Sequence, residues 1–172
     1  ERIIVAPVLY QHKKTINIFL PYCEEGWFDY FSYKFISIGG WITIEVPLNN
    51  ILIIVRGGTL IPKLKVVFNQ PHLAPIEEII LFPSKANISF TQKNMPLIFD
   101  DGETNDYEKN KNLILTPQIK IEKNKLFLLF NKIGNGKVQK EKIILKYPKN
   151  TKLILKNCSN YFIKDTYNYI PI

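Results

Sequence analysis

The sequence predicts an all-β protein built as two consecutive antiparallel β-sandwich domains. Short apolar, β-branched runs recur along the whole chain, and turn residues close nearly every one of them. No stretch sustains apolar residues at 3.6-residue spacing over a dozen positions, as an amphipathic helix would. Short strands broken at regular intervals by turn signals read as sandwich or barrel.

Each element follows from its residues. "IIVAPVL" and "TINIFLP" open the chain as β-branched runs closed by proline or polar residues. "WITIEVP" alternates, so Ile42, Ile44 and Val46 face one way and Trp41, Thr43 and Glu45 the other. Gly-Gly pairs at 39–40 and 57–58 bracket this strand and the following "ILIIVR". Later strands are expected in "EEIILFP", "NISFTQK", "MPLIF", "QIKIEK", "KLFLLFN", "KIILKYP" and "KLILKN". "NGK" at 135–137 predicts a hairpin, because Asn and Gly accept positive φ, and "EKNK" at 122–125 is a weaker turn of the same kind. In "NQPHLAP", residues 69–75, two prolines remove ladder donors, so this is the expected linker. The chain divides there into residues 1–70 and residues 76–172.

Composition narrows the function. Hydrophobic content of 46% and aromatic content of 13% suit a folded protein. No run approaches the ~18–20 apolar residues of a membrane span, so no membrane partner is expected. The chain opens at Glu1 without a signal peptide and reads as a processed product or a piece of something longer. A net charge of +8 raises the question of nucleic acid. However, only Arg2 and Arg56 are arginines, and the lysines alternate onto solvent faces of strands such as "QIKIEKNK". Arginine does most bidentate phosphate and guanine recognition, so nucleic acid is not expected as a partner. Cys23 and Cys158 are far apart, and His12 and His72 are the only histidines, so no metal-ligand spacing emerges and no cofactor is implied.

"LIFDDGETNDYEKN", residues 97–110, concentrates Asp100, Asp101, Glu103, Asp106 and Glu108. A glycosidase needs two carboxylates held ~5–10 Å apart across a sugar, one with a raised pKa. These five sit in one local turn, and Asp100 and Asp101 are neighbours that a strand would send to opposite faces. Asp101-Gly102 is a turn signal in its own right. The spacing does not fit a calcium loop either, because Gly102 directly follows the two aspartates. The aromatic stretch "GWFDYFSYKF", residues 26–35, could stack on sugar rings, but alternating aromatics in a strand more often form core and cross-strand pairs. Asn87 and Asn157 each stand two residues before a serine and are possible glycosylation acceptors; two such sequons are no sign of secretion by themselves.

In their order, "IIVAPVL", "IFLP", "GWFDYFSYKF", "GGWITIEVPLNNILIIVRGGTLIP" and "FDDGETNDYE" resemble the C-terminal region of family 31 glycoside hydrolases. The resemblance implies a proximal β-sandwich carrying Trp27, Asp29 and Tyr30 and the Arg56, Gly57, Gly58 and Pro62 motif. It implies a distal sandwich carrying the structural turn of Asp100, Asp101, Gly102 and Tyr107. The family's catalytic aspartates lie on an upstream barrel, so this chain holds no catalytic residue and is expected to be inactive alone. Arg56, Gly57 and Gly58 are the expected barrel interface, and the barrel of the same parent chain is the expected partner. The parent reaction implied is retaining hydrolysis of terminal α-linked glucose. "RGGTLIPKLKVVFNQ" and "IEEIILFPS" are most similar to the family's branch that trims N-glycan precursors. That similarity implies the endoplasmic reticulum lumen or another secretory compartment, with a regulatory subunit as a further partner. The alternative is a free-standing carbohydrate-binding or interaction β-sandwich module.

Overall fold

The computed structural model describes residues 2–8, 14–46, 51–66, 74–91, 96–99, 108–109, 111–123, 125–136, 142–156 and 162–167. The first strands are β1 (Ile3–Ala6), β2 (Thr15–Leu20), β3 (Trp27–Asp29), β4 (Phe35–Ser37), β5 (Gly40–Glu45), β6 (Leu52–Arg56) and β7 (Leu60–Leu64). They are followed by β8 (Ile76–Leu81), β9 (Ile88–Thr91), β10 (Leu97–Phe99), β11 (Leu113–Glu122), β12 (Lys125–Ile133), β13 (Ile143–Pro148), β14 (Lys152–Lys156) and β15 (Phe162–Tyr167). The all-β expectation holds, and no α-helix occurs among the described residues.

Four sheets form. β2 pairs with β5; β1, β6, β3 and β4 make a second sheet; β15, β13, β8 and β7 a third; β10, β11, β12 and β14 a fourth, with β9 also on β11. Side-chain alternation decides how they stack. Trp27, Leu52 and Ile54 point toward β2–β5 and pack with Leu20 and Val46. Their neighbours Phe28 and Val55 point the other way, onto Ile80, Phe82 and Tyr167 of the third sheet or its flank. Ile79, Leu81, Ile143 and Leu145 leave the far side of that sheet and meet Leu113, Leu115, Leu126, Leu128 and Phe130 of the fourth. The result is four layers with three cores. β6 and β8 serve two cores at once, which explains why "ILIIV" and "IILF" are continuous apolar runs and not alternating ones.

Some local expectations change. The tight hairpin is the "EKNK" turn: Glu122 pairs with Lys125, and Lys123 takes φ +50°. "NGK" joins no hairpin, because β12 before it and β13 after it lie in different sheets; Gly136 instead donates its amide to Asn112 O at 3.1 Å. Pro117 does not interrupt β11. β10 pairs opposite residues 113–115 and β9 opposite 119–121, so the missing N–H falls between them. Three pairings, β12–β14, β13–β15 and β13–β8, are parallel within the otherwise antiparallel sheets. Finally, β7 precedes the expected linker and β8 follows it, yet they pair directly, with Leu60 opposite Leu81 and Ile61 opposite Ile80.

Candidate functional site

The motif residues 56–58 lie where three backbone segments converge. Arg56 ends β6 and reaches Glu25, its Nη2 donating to Oε1 and Oε2, each at 3.0 Å. Gly57 N donates to Gly26 O at 2.7 Å, Gly58 N to Pro83 O at 3.0 Å, and Lys85 N to Glu25 O at 2.9 Å. A Cβ on Gly57 would overlap Glu25 O and lie 2.8 Å from Pro83 O, so only glycine lets these strands touch. Gly58 has φ +71°, and a Cβ there would collide with Ile88 Cδ1. The turn therefore sews the second sheet to the loop after β8.

Electrostatics at this turn are local. Burial alone would raise the Glu25 carboxyl, but the Cys23 thiol, which donates to Oε2 at 3.0 Å, and the Arg56 guanidinium outweigh it and hold it below the usual carboxylate range. The buried Cys23 thiol is pushed up, first by burial and then by its carboxylate neighbour. A second carboxylate, Glu78 on β8, is 6% exposed. Lys63 Nζ lies 3.0 Å from Glu78 Oε2 and Lys146 Nζ 2.6 Å from Oε1. Here too burial opposes ionisation, while hydrogen bonds from Lys146 and Lys63 prevail and lower the pKa. A glycosidase acid requires the reverse, a carboxyl whose pKa is raised so that it can deliver a proton at neutral pH. Glu25 and Glu78 are both committed as anions to cations, which equips them for holding sheets together and not for proton transfer.

The other motif residues build the fold. Trp27 is buried, and its Nε1 donates to Pro21 O at 2.8 Å. Asp29 Oδ1 accepts from Ser32 N at 2.7 Å and from Ser32 Oγ at 2.6 Å, closing the turn that sets Tyr33 at φ +59°. Tyr33 stacks on Tyr167 at 4.0 Å between centroids, and Tyr167 Oη donates to Leu81 O at 2.6 Å. Most of "GWFDYFSYKF" is thus core or interlayer packing. Asn87 is exposed, and its Oδ1 accepts from Lys123 N at 3.0 Å. Asp100, Asp101, Gly102, Tyr107, Asn157 and Cys158 lie outside the described residues. Among the described residues, no group of three or more His, Cys, Asp or Glu side chains could hold a metal.

Exposed aromatic chemistry lies elsewhere, on the outer face of β2–β5. Phe19 and Trp41 are cross-strand partners, 54% and 77% exposed, with ring centroids 5.6 Å apart. The alternation in "TINIFL" and "WITIE" was the signal for this pair, since it sets both rings on the polar side of their strands.

A stack of β-sheets with apolar cores between the layers defines an all-β, sandwich-type region. Residues 1–61 match the glycosyl hydrolase family 31 C-terminal domain, which bears out the resemblance read from the motifs. The α-xylosidase of Saccharolobus solfataricus is 28% identical over 114 residues, 66% of this chain and 15% of that protein. Neutral α-glucosidase AB of Sus scrofa is 26% identical over 115 residues, 67% of this chain and 12% of that protein. A Flavobacterium johnsoniae family 31 dextranase complexed with glucose superposes with a TM-score of 0.62 at 25% identity, over 83% of this chain and 17% of that one. The chain thus spans less than a fifth of the length of these relatives.

Proposed function

We propose that these residues are the paired, non-catalytic C-terminal β-sandwich modules of a family 31 α-glucosidase, and that they support its catalytic barrel. The observation that carries this reading is the match of residues 1–61 to the family 31 C-terminal domain, and the ion pairing of Glu25 with Arg56 and of Glu78 with Lys63 and Lys146 fits a structural use of these carboxylates. Among the described residues β1 is an edge strand, and Ile3 and Val5 on it are exposed. An upstream domain docked there would cover both the edge and the apolar side chains. Arg56, whose amide donates to Arg2 O at 2.8 Å, stands at the same margin and is the interface residue of this reading. Gly57 and Gly58 would act indirectly, by fixing the turn that presents Arg56. The turn of Asp100, Asp101, Gly102 and Tyr107 would be structural.

The division into residues 1–70 and 76–172 remains part of this reading, and the path leaves the second sheet for the third near Gly57–Thr59. Retaining hydrolysis of terminal α-linked glucose would belong to the parent enzyme. Location in the endoplasmic reticulum or another secretory compartment, and a regulatory subunit, rest on the similarity of "RGGTLIPKLKVVFNQ" and "IEEIILFPS" to glucosidase II.

Two assays test the proposal. The 172-residue chain should release no product from a fluorogenic α-glucoside, and it should copurify with the parent's separately expressed upstream portion. Turnover that disappears in Asp101→Asn would overturn the non-catalytic reading. A failure to copurify would overturn the supporting role.

A further inference from the structure

We propose that the outer face of β2–β5 is a saccharide-binding platform that takes a short α-linked glucan. The face consists of three cross-strand pairs, Thr15–Glu45, Asn17–Thr43 and Phe19–Trp41. All six residues are exposed, while the opposite face of the same strands is packed in a core. Trp41 at 77% exposure is costly surface for a chain to keep, because a large aromatic gains most when it is covered. Among the described residues the strip is two strands wide, and that sets the width of what lies along it.

Charge constrains it further. In a chain of net charge +8, these six positions hold no lysine or arginine and one carboxylate, Glu45. The face is therefore wrong for phosphate, nucleic acid or an anionic lipid surface. It offers two aromatic rings and a row of neutral hydrogen-bonding groups, with Thr43 Oγ1 donating to Asn17 Oδ1 at 2.8 Å. That combination suits a neutral polyol with apolar ring faces. The tilt of the two rings, 59° between planes, selects the chain shape. Tilted rings make a non-planar platform, which matches the curved path of an α-linked glucan better than the flat ribbon of a β-1,4-linked one. The choice of glucose as the unit rests on the family 31 reading, whereas the platform itself rests on the face.

The test is titration of the full 172-residue chain with maltoheptaose and, in parallel, cellohexaose, read by calorimetry and by tryptophan emission. Trp27 is the only other tryptophan and is buried, so a shift in emission reports on Trp41. Maltoheptaose should give saturable heat with an emission change, and Trp41→Ala should abolish the heat without moving the melting temperature. If Trp41→Ala does perturb melting, Phe19→Ala replaces it, with a roughly tenfold weaker affinity expected from the loss of one stacking ring. Absence of saturable heat, or heat that survives loss of the rings, overturns the platform. Equal affinity for cellohexaose overturns the assignment to α-linked chains. A chain that fails to copurify with the upstream portion, yet still binds maltoheptaose through Trp41, would remove the supporting role and leave the platform standing.

Discussion

Glu78 is the residue on which charge and packing meet most directly. It sits on β8 with the side chain nearly closed off from water, and Lys63 and Lys146 come from the strands on either side of it in the sheet. Because its folded pKa is lowered, the stability it contributes is complete above the ordinary carboxylate value of 4.5 and is lost as pH falls through the folded value. Lys63 and Lys146 are shifted upward by the hydrogen bond to Glu78, so their share persists below 10.5 and fades as pH rises beyond it. Glu78→Gln should therefore cost about 1–2 kcal/mol at neutral pH. It should also flatten the decline in stability below pH 4.5. Urea midpoints measured from pH 3 to pH 7 check both; an unchanged acid limb would mean the carboxylate is not coupled to folding. Nothing in "IEEIILF" distinguishes Glu78 from Glu77 by type. Glu78 shares parity with Ile80 and Phe82, but which face of β8 was covered could be read only once a sheet lay on both sides.

At the scale of elements, the turn at 56–58 makes a ranked prediction. Gly57→Ala drives a methyl into two backbone oxygens, which cannot move without dragging the segments that own them. Gly58→Ala meets the flexible end of Ile88 and adds the strain of a left-handed backbone. Both should destabilise by about 1–3 kcal/mol, with Gly57→Ala the worse of the two by thermal melting. The reverse order would show that the left-handed conformation of Gly58, and not backbone crowding at Gly57, governs the turn. Motif reading located these glycines; the structure adds that Glu25, Gly26 and Pro83 of this chain come within contact of Gly57. Strand positions were legible wherever residues alternate, as in "WITIEVP". Strand partners were not, because local alternation says which side faces a core and nothing about which distant strand lies next to it. β7 and β8 show this: prolines at 71 and 75 pointed to a break, yet the sheet continues across them.

For the molecule as a whole, the cluster of Phe28, Val55, Ile80, Phe82 and Tyr167 ties the first 61 residues to the rest. Removing a large ring from it should cost about 3–5 kcal/mol. Phe82→Ala is the informative choice, since Phe82 is fully buried and stacks near both Tyr30 and Tyr33. The intact chain is expected to unfold in one transition, with Trp27 emission and far-ultraviolet circular dichroism superimposing. In Phe82→Ala the two signals should separate, because the layers around Trp27 lose their hold on the lysine-rich half. Superimposed curves in the variant would show that hydrogen bonds at the 56–58 turn suffice to keep the halves cooperative.

β7 spans residues 60–64, whereas the family domain match stops at residue 61. A recombinant that exchanges this domain among relatives at its nominal border would splice two residues of one parent onto three of another within a single strand. The foreign residues would then have to keep register against β8 of the recipient. Crossovers placed in the preceding turn, between Arg56 and Thr59, leave that ladder with one parent and transfer the first two layers whole. Viable hybrids should therefore accumulate at the glycine pair and be rare across the strand, a pattern that a shuffled library would record in its survivors.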